Sequence, residues 1–246
     1  MKVSILEINI DRLSMDKTLE RIQQFVTNDR PRRIVTANPE MIYASQFDSK
    51  LKQLLNSADL VTPDGEGIVW AAKFLGLPVP QRVTGIDLLQ KLLPIAANCG
   101  WRVFFLGGSP GVASTAAEKV EQEYPGIKIA HYHGYFKPGK EEQQVLQKIK
   151  NFKPHLLFVG LGAPRQELWI AEHYRELAVP VSVGVGGSFD VLSGKVKRAP
   201  VLAQRFKLEW LARLISQPSR LRRQTVLPKF VVNVFLQKIK LPPKKQ

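Results

Sequence analysis

Asp64 is the acidic side chain best placed to do chemistry. It lies in Ala58-Asp59-Leu60-Val61-Thr62-Pro63-Asp64-Gly65-Glu66-Gly67. A strand over Asp59 to Thr62 puts its carboxylate at the strand's carboxyl end, where an α/β sheet presents a general base to substrate. The same place suits an N-cap for a helix starting near Glu66, and the local pattern leaves both readings open. Thr36, Asn38, Arg82, Gln166 and Asp190 share the ambiguity, each near a strand exit or in the loop after a helix. Three glycine clusters also follow apolar runs: Gly107-Gly108-Ser109-Pro110-Gly111, Gly160-Leu161-Gly162 and Gly184-Val185-Gly186-Gly187. Glycine there makes a tight turn or lets backbone N–H groups approach a phosphate. None fits the dinucleotide or Walker A fingerprints.

Other chemistries lack their residues. The four histidines show no metal-ligand spacing, and no Asp-x-Asp occurs. No metal or other cofactor is expected. A departing phosphate would have to be met by Arg, Lys and backbone N–H donors. The single cysteine, Cys99, sits in an apolar helix-like stretch and reads as packing. One thiol excludes an internal disulfide and suits a reducing compartment.

The elements that must position these groups alternate. Strands are expected at Val3–Ile10, Arg33–Ala37, Asp59–Thr62, Arg102–Leu106, Ile127–His131, His155–Gly160 and Val181–Val185. A helix should begin after Ser14, with Leu19, Ile22, Phe25 and Val26 on one face, and another after Asn38-Pro39, an N-cap followed by Pro at the first helical position. Repeated strand–loop–helix order predicts an α/β, Rossmann-like fold, its largely parallel sheet covered by helices on both faces.

Charge divides the 246 residues unevenly. Residues 195–246 carry 14 Lys and Arg against the lone acid Glu209, whereas residues 1–194 are close to neutral, so nearly all of the net +15 lies in the tail. This predicts a catalytic domain over residues 1–194 and a basic appendage over 195–246. Phe206, Trp210, Leu211, Leu214 and Ile215, with Arg205, Lys207 and Arg213, form an amphipathic basic helix; Lys229–Leu241 forms a second such segment. These suit an anionic membrane surface, where each cation contributes about 1 kcal/mol, or equally a helix packed on the core with a solvated basic face. Exposed apolar residues there would also favour a homo-oligomer. No secretory signal and no run long enough to cross a bilayer is found.

Taken in order, the segments resemble the WecG/TagA/CpsF glycosyltransferase family: Thr36-Ala37-Asn38-Pro39-Glu40-Met41, Ala58 to Gly65, Arg82-Val83-Thr84-Gly85-Ile86-Asp87-Leu88, Phe105-Leu106-Gly107-Gly108, His133-Gly134-Tyr135-Phe136, Gly160 to Glu167, Gly184 to Asp190, and Leu208 to Leu214. The resemblance implies a metal-independent, inverting transferase at the inner, cytoplasmic face of a membrane. It would move N-acetylmannosamine, its uronic acid or glucose from a UDP-sugar donor to a polyprenyl-diphosphate-linked sugar acceptor. It also implies Asp64 as base, Thr36, Asn38 and Gln166 lining the pocket, and Arg82 near the reacting diphosphate. Gly107, Gly108, Tyr135, Phe136, Gly160, Gly162, Gly186, Gly187 and Asp190 would hold the donor, and Arg213, Arg220 and Arg223 the acceptor diphosphate or membrane. Arg165 stands where members often have Lys, which keeps the charge.

Two rivals are weaker. A basic tail can neutralise nucleic acid, but its cations interleave with long aliphatic runs and no RNA- or DNA-binding motif is present, so no nucleic-acid partner is expected. A Rossmann oxidoreductase lacks its Gly-x-Gly-x-x-Gly.

Overall fold

A computed structural model of the chain describes residues 1–28, 30–199 and 225–240. The expectations for Phe206–Ile215 and for Arg213, Arg220 and Arg223 lie outside the described residues. Eight strands and ten helices follow in order among the described residues: β1 Lys2–Ile5, β2 Ile8–Asp11, α1 Met15–Val26, β3 Arg32–Ala37, α2 Pro39–Ala44, α3 Ser49–Asn56, β4 Leu60–Pro63, α4 Glu66–Phe74, α5 Gly85–Asn98, β5 Arg102–Gly107, α6 Val112–Glu123, β6 Lys128–Tyr132, α7 Lys140–Phe152, β7 Leu156–Gly160, α8 Arg165–Leu177, β8 Val181–Gly184, α9 Ser188–Leu192 and α10 Val226–Lys240.

Strands β3 to β8 form one six-stranded, wholly parallel sheet in the order β4-β3-β8-β7-β5-β6. The chain first builds β3 and β4, crosses to build β5 and β6, then fills the gap with β7 and β8. Side chains alternate across the sheet, so Ile34, Phe105 and Phe158 join α1, α5 and α6 on one face. Val35 and Val61 on the other face join α2, α3 and α4, while Phe104, Leu106, Leu157 and Val159 join α7 and α8. The α/β class read from the sequence is the observed one.

One predicted strand divides. Val3–Ile10 is the separate antiparallel hairpin β1–β2, turning at Leu6 and Glu7, both in the left-handed region at φ 47° and 64°. Neither is glycine, so the usual turn signal is missing. The burial pattern betrays the break: Val3 and Ile5 face inward at odd positions, Ile8 and Ile10 at even ones. Asp11 anchors the hairpin to the sheet edge, its Oδ2 accepting from Val61 N at 2.9 Å.

Helix α10 buries Phe230 and Val234 in the same cluster as the hairpin and α4. Gln237 joins the two, accepting from Leu6 N at 2.8 Å and donating to Ser4 O at 3.0 Å. Phe235 packs its ring against Phe74 and Trp70, while Val232, Leu236 and Ile239 on the opposite side of α10 are exposed beside Lys229, Lys238 and Lys240. Cys99 is exposed at the C-cap of α5 and is not core packing, because the apolar stripe of that helix ends at Ala96.

Candidate active site

The carboxyl ends of β3, β4 and β8 meet α5 and α9 around an open cleft of about 670 Å³, counting the solvent in its mouth. Asp64, Thr84, Gly85, Gly187, Asp190 and Arg198 are among its walls. Asp64 is placed by both adjoining elements: its backbone N donates to Ala37 O at 2.8 Å, and its Oδ2 accepts from Gly85 N, the first residue of α5, at 3.4 Å. The capping alternative fails, since Gly65 at φ 105° is the N-cap of α4 and that end has no side-chain cap. A carboxylate that does not cap α4 and lines a cleft is a group suited to proton exchange with a bound hydroxyl.

Thr36 and Gln166 stand behind the wall. The Thr36 hydroxyl donates to Gly184 O at 3.0 Å, and a Cβ on Gly85 would stand 3.4 Å from Thr36 Oγ1. Gln166 Oε1 accepts from Gly186 N at 2.9 Å and its Nε2 donates to Glu167 Oε1 at 2.7 Å. Both residues are buried and fix the exit of β8. Asn38 caps α2 as expected, its Oδ1 accepting from Met41 N at 2.9 Å, with Pro39 at the first turn. Arg82 faces Glu66 across 3.8 Å.

The glycines divide into two kinds. A Cβ on Gly107 would come within 2.4 Å of Gly160 O, and one on Gly160 within 2.7 Å of Gly186 O, so these two let the exits of β5, β7 and β8 pack backbone to backbone. Gly162 and Gly186, at φ 79° and 54°, have open space where a side chain would be, and Gly187 lines the cleft. Gly108, at φ 70°, packs on Val112. Tyr135 is exposed. Phe136 is instead a core residue, buried edge-on to Trp169 with the Arg165 guanidinium over its ring, because the strand exit beneath leaves it only the interior to fill.

Sequence reasoning missed the cations of the cleft and the acid, Asp87, that pairs with one of them. Arg198 pairs with Asp87 and donates to Gln90 at 3.2 Å; Lys195 donates to Ser109 Oγ at 2.8 Å and faces Asp190 across 3.8 Å. Lys197 also lines the cleft. Burial raises the Asp87 carboxyl, but the hydrogen bonds from Thr84 and Arg198 and the charges of Arg198 and Arg82 outweigh it, so its pKa lies below the ordinary value. The available signal was Thr84-Gly85-Ile86-Asp87, a cap residue followed three positions later by an acid; Thr84 Oγ1 accepts from Asp87 N at 3.2 Å and donates to Asp87 Oδ2 at 2.7 Å. No three His, Cys, Asp or Glu side chains gather as metal ligands among the described residues.

Known proteins resemble this chain over most of its length. The model of the glycosyl transferase WecG/TagA/CpsF family matches residues 3–244. A Bacillus spizizenii protein named N-acetylglucosaminyldiphosphoundecaprenol N-acetyl-beta-D-mannosaminyltransferase is 43% identical over 203 residues, 82% of this chain and 78% of that protein. A Staphylococcus aureus protein of the same name is 37% identical over 243 residues, 98% of this chain and 94% of its own length.

Proposed function

Because the chain belongs to the WecG/TagA/CpsF family and is a glycosyltransferase, we propose that it transfers N-acetylmannosamine from UDP to a polyprenyl-diphosphate-linked N-acetylglucosamine at the inner face of the membrane. The observation that carries this reading is the Asp64 carboxylate, held in the cleft by Gly85 N with Lys197 and Arg198 on the walls. Asp64 takes the proton from the acceptor hydroxyl as its oxygen attacks the anomeric carbon from the face opposite UDP. The bond to the UDP oxygen breaks, and the diphosphate leaves with the electron pair. One displacement inverts the anomeric centre. Lys197, Arg198, Arg82 and the cleft-lining backbone at Gly187 neutralise the departing charge without a metal ion.

The remaining assignments follow from the same picture. Asp190 and the loops at Gly107-Gly108, Tyr135 and Gly162 border the donor, and Arg213, Arg220 and Arg223 meet the acceptor's diphosphate or anionic headgroups. The division into a domain at 1–194 and a membrane-associating appendage at 195–246 is supported by the exposed apolar and basic side of α10. Among the described residues no helix is long and apolar enough to cross a membrane.

The test is a panel of UDP-sugars with an N-acetylglucosaminyl diphosphate polyprenol, with and without chelator, comparing parent and Asp64→Asn. The expected result is chelator-insensitive product of inverted anomeric configuration, and a fall in kcat of about 10²- to 10⁴-fold in the variant with UDP affinity nearly unchanged. Substantial turnover by the variant would remove Asp64 as base.

A further inference from the structure

Glu167, the residue after Gln166, is the one buried carboxyl side chain among the described residues, 2% exposed at the start of α8. No cation there pairs with it, and its Oε2 has no hydrogen-bond partner. A carboxyl group kept only for stability would have both oxygens satisfied or would be replaced by an apolar side chain at little cost. What Glu167 does provide is one acceptor, Oε1, at 2.7 Å from Gln166 Nε2.

That acceptor decides which way the Gln166 amide faces. Gly186 N–H can only donate, so the side chain opposite must offer oxygen, as it does at 2.9 Å. The amide nitrogen is then turned toward Glu167. Without an acceptor there, the amide can rotate half a turn and set its NH₂ against the Gly186 N–H, donor against donor. Gly184 leaves room for this pair and nothing more: a Cβ on it would meet Gln166 Nε2 at 2.7 Å and Glu167 Oε1 at 2.8 Å. Gly186, at φ 54°, leads directly to Gly187, Ser188 and Asp190 on the cleft wall.

We propose that Glu167 is a positioning residue for sugar transfer, fixing the Gln166 amide so that Gln166 in turn holds the Gly186-Gly187 backbone in its cleft-lining shape. Burial pushes the Glu167 carboxyl up to about 7; a protonated carboxyl still offers its carbonyl oxygen, so the lock holds in either form. The kinetic half of the inference rests on the transferase reading, while its structural half does not.

Glu167→Leu and Glu167→Gln in the full chain test it. Leucine keeps an apolar body and removes the acceptor; glutamine keeps the acceptor and removes the charge. Amide hydrogen exchange at Gly186 and Gly187, measured without ligand, should rise at least about tenfold in E167L, and kcat should fall about 10- to 100-fold with donor KM changed less than about threefold, since misplacing a wall by a fraction of an ångström acts on the transition state. E167Q should return both readings to within about threefold of the parent. Unchanged exchange at these two amides in folded E167L, or an E167Q as impaired as E167L, overturns the proposal; Glu167→Ala supplies the same reading if the leucine variant does not fold. If even the parent transfers no sugar, the transferase reading fails and the exchange measurement still decides the role of Glu167.

Discussion

The cleft has two walls built on opposite principles. The wall from the exit of β8 is held by buried hydrogen bonds to backbone: Thr36 to Gly184, Gln166 to Gly186, and Glu167 behind Gln166. The wall from residues 195–199 is held by ion pairs and polar contacts open to water, Arg198 to Asp87 and Lys195 to Ser109 and Asp190. Buried bonds to backbone have one geometry and cost a great deal to leave unmade. Partly exposed charges exchange partners at small cost. A transferase that must grip a diphosphate gaining negative charge as it leaves and then release it needs both, a fixed surface against which the sugar is aligned and cations able to trade a carboxylate for a phosphate.

The sharpest way to break this contrast is to crowd the fixed wall. Gly184→Ala puts a Cβ where Gln166 and Glu167 now touch, and overpacking of this kind costs about 1–3 kcal/mol. Chemical denaturation should show that loss, and activity should fall more than tenfold even where the protein remains folded. Wild-type activity in a fully stable G184A would mean that the wall is not fixed.

Acid and base should distinguish the walls by sign. The Glu167 carboxyl rises from 4.5 to about 7 in the fold, so between those values the native state holds a proton that the unfolded chain releases. Its contribution to stability is therefore present at low pH and declines as pH climbs toward 7, by on the order of 3 kcal/mol in all. Asp87 works in reverse: its lowered pKa contributes stability above about pH 4 that is lost as pH falls through its folded value. Urea titrations at about pH 5 and pH 8 should show a decline in the parent that E167Q flattens and Asp87→Asn leaves in place.

The smallest effect should come from the adjustable wall. Asp87→Asn frees part of the Arg198 guanidinium, and UDP affinity at low salt should rise severalfold by calorimetry. That gain should shrink near 0.5 M NaCl, because partly exposed charges are screened over a few ångströms there. A gain indifferent to salt would argue that Arg198 does not reach the diphosphate.

Much of this was legible in the residues, and the division follows the physics. Asn38-Pro39 announced the cap of α2 because capping is local, and the three glycine clusters marked the exits of β5, β7 and β8 because apolar run and turn are adjacent in sequence. The strand order was not legible, so nothing told which glycines would press against another backbone and which would face open space. Phe136 was placed at the donor by the family resemblance, whereas the core it fills is assembled with α7 and α8. The cations of the cleft were hidden for another reason. Lys197 and Arg198 had been counted with the basic tail, and only the path of the chain past α9 brings both into the cleft of Asp64 and Arg198 onto Asp87.

The clasp between the first hairpin and α10 also sets an order of events during synthesis. Leu6 and Gln237 are 231 positions apart, so the hairpin leaves the ribosome long before the helix that covers it exists. Until then Ile68, Ala71 and the inner side of the hairpin lack Phe230 and Val234. Closing such a distant contact is slow, and uncovered apolar surface in the interim is a route to aggregation. A nascent chain stalled before residue 226 should therefore bind chaperones more strongly than the 246-residue chain does.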